Sequence, residues 1–266
     1  MSTPELILYT AQAPNGPKIS IALEELGLPY TVRPIAIYKL EQKEPWFLQI
    51  NPNGRIPALT DNAAPLEPIS SISGSKETIY LMESGAIMLY LAENYDKEHK
   101  LSFPRNTREY WEMVQWLFWQ TGGIGPSQGQ SVHFLHYASS YIPYGISRYV
   151  NETRRLYHVL ETRLAEQESK GRHYLVGDKF SMADIMQYPW VAYAVFSGID
   201  MKEFPKLKAW EDRIMQRPLV KKGHDIPQPF TLREVVKDKE MIKKVEEAGR
   251  ELVQGQMKML REGDLR

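Results

Sequence analysis

Residues Leu6 to Ile37 read LILYTAQAPNGPKISIALEELGLPYTVRPIAI and carry a strand, a helix and a second strand in that order. Leu6 to Thr10 is a short apolar run with the make-up of a buried strand. Pro14-Asn15-Gly16 breaks it before an amphipathic stretch from Lys18 to Leu26. Gly27 stands where a helix C-cap is expected, and Tyr30 to Ile37 alternates in β-rich fashion. Such a βαβ unit places its two strands parallel.

Downstream, Asn51-Pro52-Asn53-Gly54-Arg55-Ile56-Pro57-Ala58-Leu59 is a loop that runs into a short apolar strand. Pro57 cannot donate to a sheet ladder, so it belongs at the strand entrance, where a cis Ile56-Pro57 bond in a tight turn and an ordinary trans proline are both compatible with the sequence. Residues Asn62 to Thr78, rich in Pro, Ser and Gly, read as a surface excursion that lengthens a hairpin. Ile79 to Met82 resumes an apolar strand, antiparallel to the one before the excursion. Glu83-Ser84-Gly85 then precedes Ala86 to Tyr95, whose apolar residues recur at helical spacing.

From Asn106 the pattern changes to long helical segments: Arg108 to Trp119, Tyr144 to Lys170, Met182 to Phe196, Lys206 to Arg217 and Lys239 to Arg261. An α/β front and an all-α back imply two domains, 1–98 and 107–226, with 99–106 as linker and 227–266 as a helical extension. The last helix alternates Lys and Glu, as an exposed appendage does.

Composition narrows the chemistry. The 266 residues contain no cysteine, which rules out disulfides, zinc–thiolate sites and any mechanism that uses a protein thiol. Lys plus Arg and Asp plus Glu each total 33, so no net field draws nucleic acid or an anionic membrane. No window approaches the ~20 apolar residues of a membrane span, and no basic region followed by an apolar run opens the chain. These features give a cytoplasmic address and a small-molecule or protein partner.

Four motifs together carry a resemblance: Ala13-Pro14-Asn15-Gly16-Pro17-Lys18, the Asn51 to Leu59 loop, Glu83-Ser84-Gly85-Ala86-Ile87, and QWLFWQTGGIGPSQGQSVHF from Gln115 to Phe134. With them the chain resembles the glutathione transferase superfamily over roughly Leu6 to Leu219. The Gln115 to Phe134 run points to the branch of the fungal nitrogen-catabolite regulators and the bacterial nu-class enzymes. The fold implied is an N-terminal thioredoxin-like domain that binds glutathione, followed by an all-α domain.

The resemblance also implies a site. Glutathione would lie along the open face of the first domain, its cysteinyl backbone pairing with the main chain of Ile56 ahead of a cis Pro57. Its γ-glutamyl carboxylate would meet Ser84 at a helix N-terminus and its ammonium Glu83, although a Glu-Ser pair before a helix is also an ordinary cap. The resemblance gives Gln42 and Arg55 as contacts to the glycyl end, the competing reading being ordinary solvated loop side chains. The thiol, with an intrinsic pKa of about 8.5, must be depressed to act as a thiolate. The branch uses an asparagine at the start of the first helix for this, and Asn15 matches it; the competing reading makes Asn15 a turn residue of Pro-Asn-Gly.

One departure is Ala13, where nu-class enzymes place a Thr hydroxyl. Ser181-Met182-Ala183-Asp184 resembles the superfamily's N-capping box, a structural element. Trp116, Phe118 and Trp119 are expected in the domain core and in the wall facing the electrophile, and the glycine- and glutamine-rich turn from Gly122 to Gln130 leaves room for a second glutathione.

Two functions follow. In one, the protein is an enzyme of detoxification or oxidative stress that conjugates glutathione to a small electrophile or reduces disulfides or peroxides through glutathione disulfide, without metal, as a homodimer. In the other, it is a non-catalytic regulator or carrier that binds glutathione or a hydrophobic ligand.

Overall fold

The computed structural model describes residues 5–64 and 78–262. Strands β1 (Leu6–Thr10), β2 (Tyr30–Pro34), β3 (Ala58–Asp61) and β4 (Ile79–Met82) form one sheet in the order β2-β1-β3-β4. β1 pairs parallel with β2 and antiparallel with β3, and β3 pairs antiparallel with β4, with Leu8 opposite Leu59 and Leu59 opposite Leu81. The parallel pair and the hairpin are both legible in the sequence. Most of the excursion lies outside the described residues, 65–77; at its base the Thr78 hydroxyl donates to Asn62 Oδ1 at 3.1 Å.

Helix α1 (Gly16–Leu26) crosses from β1 to β2 and ends at Gly27, whose φ of 69° is the left-handed conformation a side chain resists. A one-turn α2 (Pro45–Leu48) and α3 (Ser84–Tyr95) complete this thioredoxin-like half. The remainder is helical: α4 (Arg108–Trp119), α5 (Gly125–Val132), α6 (Pro143–Glu168), α7 (Met182–Val191), α8 (Pro205–Met215), α9 (Pro218–His224), α10 (Leu232–Val235) and α11 (Lys239–Glu262). One apolar core runs from Leu6 and Leu8 through α1 to Met186, Trp210 and Val220, so the two halves share an interior.

Three segments differ from the sequence expectation. The Gly122 to Gln130 stretch is not an open turn: a π-helical turn, Gln120–Ile124, joins α4 to α5 without leaving helical geometry. The helix expected to reach Phe196 ends at Val191, where the bonding tightens to 3-10 type: the Tyr193 N–H donates to the Trp190 carbonyl and the Ala194 N–H to the Val191 carbonyl. The helix after Pro229 is not an appendage either. α11 packs on the π-helical turn His133–Tyr137 and on the 3-10 turn Ile37–Lys39, with its Gly255 against the Leu40 side chain.

Every residue of α7 is buried, and its start is fixed by Asp184. The carboxylate accepts from the Ser181 N–H (3.0 Å) and hydroxyl (3.1 Å), the Leu175 N–H (3.0 Å) and the Trp210 indole N–H (2.8 Å). Burial pushes its pKa up to about 6 against these donors. Replacing Asp184 by Ala strands several buried donors at once, at a cost on the order of 3 kcal/mol. Calorimetry of Asp184→Ala should show a melting temperature lower by roughly 10 °C, and an unchanged midpoint would contradict the structural role.

Candidate active site

Between the sheet's open end and the start of the helical half lies a cleft of about 630 Å3. Asn15, Arg55, Ile56, Pro57, Glu83 and Ser84 all line it, so six of the seven residues singled out in the sequence meet there. The seventh does not. Gln42 sits in a 3-10 turn, Glu41–Lys43, and is buried rather than turned to the cleft. The Asn51 to Ile56 turn lies on its backbone, where a Cβ added to Gly54 would stand 2.9 Å from the Gln42 carbonyl oxygen.

The Ile56-Pro57 bond is cis. Just ahead of it Asn51 ties the turn together, its Nδ2 donating to the Arg55 carbonyl at 2.7 Å and its Oδ1 accepting from the Asn53 N–H at 3.0 Å. The Ile56 N–H and C=O have no partner among the described residues and lie on the cleft wall.

At the N-terminus of α3, Glu83 has φ 66°, a strained conformation for a residue with a side chain. Ser84 is buried at the first position of the helix, where the dipole and the free N–H groups favour an anion. Behind it lies a residue that the sequence reading did not single out. Lys18, in the first turn of α1, is buried, and its Nζ donates to Ser84 Oγ at 3.2 Å and to Gln120 Oε1. Desolvation pulls its pKa well below the usual lysine value, and the Glu83 carboxylate opposes that. The signal was present: Lys18 is a lone charge at the head of a helix whose other residues through Leu23 are uncharged and mostly apolar.

Asn15 is the N-cap residue of α1 by position, with helical backbone angles and no capping bond from its side chain. That side chain is engaged elsewhere. The Trp190 indole N–H donates to Asn15 Oδ1 at 2.9 Å. An indole nitrogen is a donor only, so the amide oxygen must face Trp190 and the Nδ2 donors are turned away from it. Among the described residues they have no partner.

Trp190 also faces a second space. A chamber of about 470 Å3 adjoins the cleft, with Trp190 and Gly129 common to both linings. Its other walls are mostly apolar and come from Tyr137, Tyr193, Phe196, Phe230 and, on α11, Val245 and Leu252. The expected aromatic wall is therefore displaced. Trp116 and Trp119 pack edge to face on each other at 5.1 Å, Phe118 is 65% exposed, and none of the three lines either space. Ala13 lines the chamber.

Comparison with known proteins agrees with this arrangement. Residues 14–94 match the family model for the glutathione S-transferase N-terminal domain and residues 148–218 the model for its C-terminal domain. The disulfide-bond oxidoreductase YfcG of Escherichia coli is 44% identical over 211 residues, covering 79% of this chain and 90% of that protein. The URE2 protein of Candida albicans is 35% identical over 241 residues, covering 79% of this chain and 67% of that one. A glutathione transferase homolog from Lodderomyces elongisporus, solved with two GSH per subunit, superposes with a TM-score of 0.75 at 41% identity, over 84% of this chain and 99% of that one. By its two domains, its motifs and its relatives, the chain belongs to the glutathione S-transferase family, in the branch of the URE2 proteins and YfcG.

Proposed function

We propose that this protein is a cytosolic enzyme that uses glutathione as a nucleophile, with Asn15 stabilising the thiolate. The observation that carries the reading is the Trp190 to Asn15 hydrogen bond, which turns the Nδ2 donors of Asn15 away from the indole and leaves them without a protein partner. Glutathione lies in the cleft with its cysteinyl main chain on Ile56, its γ-glutamyl carboxylate on Ser84 at the α3 N-terminus, and its ammonium near Glu83. Lys18 adds a cation behind that carboxylate, and Arg55 is left for the glycyl end.

Donation from Asn15 and the positive end of α1 favour the thiolate over the thiol by about 1.5–3 kcal/mol, one to two pKa units. In conjugation the sulfur attacks an electrophile in the adjoining chamber, and the thiol proton leaves to solvent. In reduction the sulfur attacks one sulfur of a disulfide, a thiolate departs, and a second glutathione resolves the mixed disulfide as glutathione disulfide. The disulfide-bond oxidoreductase among the relatives and the homolog that holds two GSH per subunit favour the second route. A parallel assay with a chloro-dinitroaromatic and a mixed disulfide, each with glutathione, measures the balance.

Asn15→Ala should lower turnover ten- to a hundredfold with little change in melting temperature, and Trp190→Phe, which releases the amide and shortens the wall shared by the two spaces, should lower it less. Both should move the acid limb of the pH–rate profile upward. A profile that stays in place in Asn15→Ala would remove the thiolate role.

Because the chain has no cysteine, disulfide reduction should depend wholly on added glutathione and survive pretreatment of the protein with a thiol-alkylating reagent that is then removed. Reduction supported by dithiothreitol alone would overturn the mechanism.

The protein acts as a homodimer in this reading. Tyr80 and Met82 on β4 and Trp111 and Phe118 on α4 are large apolar side chains left exposed, which a second copy would cover. Light scattering should give about twice 30.8 kDa, and a value near the monomer mass would count against the pairing.

A further inference from the structure

The chamber beyond Trp190 owes one wall to α11, a segment that neither family model reaches. That wall is firmly seated. Gly249 lies flat on the Tyr137 ring, where an added Cβ would come within 2.2 Å of the ring edge. His136 sits beneath, with Nδ1 2.9 Å from Glu246 Oε1 on α11 and Nε2 2.8 Å from the Phe196 carbonyl oxygen.

Within the chamber two features decide what fits. The first is a set of phenols. Tyr137 and Tyr193 line it, Tyr38 stands more than half exposed at its edge, and the three lie close enough to interact electrostatically. The hydroxyls of Tyr137 and Tyr193 have no hydrogen-bond partner among the described residues, and burial raises both pKa values, so both remain O–H donors at neutral pH. The second is the absence of any Lys or Arg from the lining, while the Glu246 carboxylate lies near Tyr137. An anionic ligand would meet no countercharge there.

Aromatic walls formed by Trp190, Phe196 and Phe230 suit a flat ring system, and two unpartnered phenol donors in a mostly apolar lining suit a neutral oxygen acceptor on it; Gln12 Oε1, buried and without a partner among the described residues, is an acceptor in the same lining. We infer that the chamber binds uncharged, flat aromatic carbonyl compounds, ketones and quinones, with Tyr137 and Tyr193 donating to the carbonyl oxygen. This rests on the glutathione reading only for the fate of the bound compound; binding itself needs no thiol.

The test is equilibrium dialysis, without glutathione, of 9-fluorenone, fluorene and fluorenone-4-carboxylate. The first two differ by the carbonyl group alone and the third adds a charge. Wild-type protein should bind fluorenone at least tenfold tighter than fluorene and than the carboxylate. In the double variant Tyr137→Phe/Tyr193→Phe, its fold checked by circular dichroism, the preference should reverse, since a carbonyl then loses its water for no donor. Equal affinity for fluorenone and fluorene in the wild type, a preference that survives the double variant, tighter binding of the carboxylate, or no binding of any probe would each overturn the inference. Glutathione-dependent turnover measured on the same samples separates this result from the proposed function: fluorenone binding without turnover leaves the chamber assignment standing alone.

Discussion

Ile21 on α1 and Gly223 on α9 meet backbone to backbone, so closely that a Cβ on Gly223 would stand 2.6 Å from the Ile21 Cα. The same contact carries a hydrogen bond from the Ser20 hydroxyl to the Gly223 carbonyl at 2.6 Å. One turn further on, Arg217 grips the buried Glu25 carboxylate with two bonds of 2.8 Å. With the sheet on its other side, α1 is left almost no face to water, and from Gly16 to Leu23 every residue is buried. The pair at Glu25 is a constraint more than a source of stability: once that carboxylate is buried, losing its partner costs about 3–5 kcal/mol. The position of α1 is therefore set by both halves of the molecule.

The site hangs from that position. Asn15 and Lys18 belong to the first turn of α1, and each is completed by the helical half: Asn15 by the Trp190 indole on α7, Lys18 by Gln120 where α4 passes into its π-helical turn. The thioredoxin-like half thus supplies Asn15 and Lys18 to the cleft, and the helical half holds their orientation. An amide can present oxygen or nitrogen to a sulfur at little cost in shape, and only the nitrogen favours a thiolate. A donor-only indole on the far side removes that freedom. Trp190 does so while its ring walls the adjoining chamber, so the same residue borders both spaces.

Glycine makes the close approaches possible. Gly54 lets the Asn51 to Ile56 turn lie on the Gln42 carbonyl. Gly249 lets α11 lie on the Tyr137 ring and close the chamber. In both places a side chain would hold the two segments apart.

The βαβ start, the hairpin from β3 to β4 and the cap at Asp184 were legible in the sequence because each is governed by residues adjacent in the chain: period-two runs, Pro-Asn-Gly, a glycine C-cap, Ser-x-x-Asp. The residues Asn15, Arg55, Ile56, Pro57, Glu83 and Ser84 were singled out through the resemblance to the family, and the structure brings them to one cleft. What was not legible depends on residues distant in sequence. Gln42 was expected with Arg55 at the glycyl end, yet it is buried in the turn Glu41–Lys43 and does not line the cleft. The Trp116 to Trp119 cluster has the composition of a ligand wall but faces away from the chamber. α11 reads as a charged, solvent-facing helix, and only the packing of Gly249 and Glu246 against Tyr137 and His136 shows that it closes a chamber. Sequence alone determined the elements, through short-range spacing, and the resemblance to the family pointed to the candidate site residues. Tertiary structure alone decided which way the Asn15 amide turns, what stands behind Ser84 and what encloses the second space, because an orientation is fixed by the group on the far side, and here that group is 66 to 175 residues away in the chain.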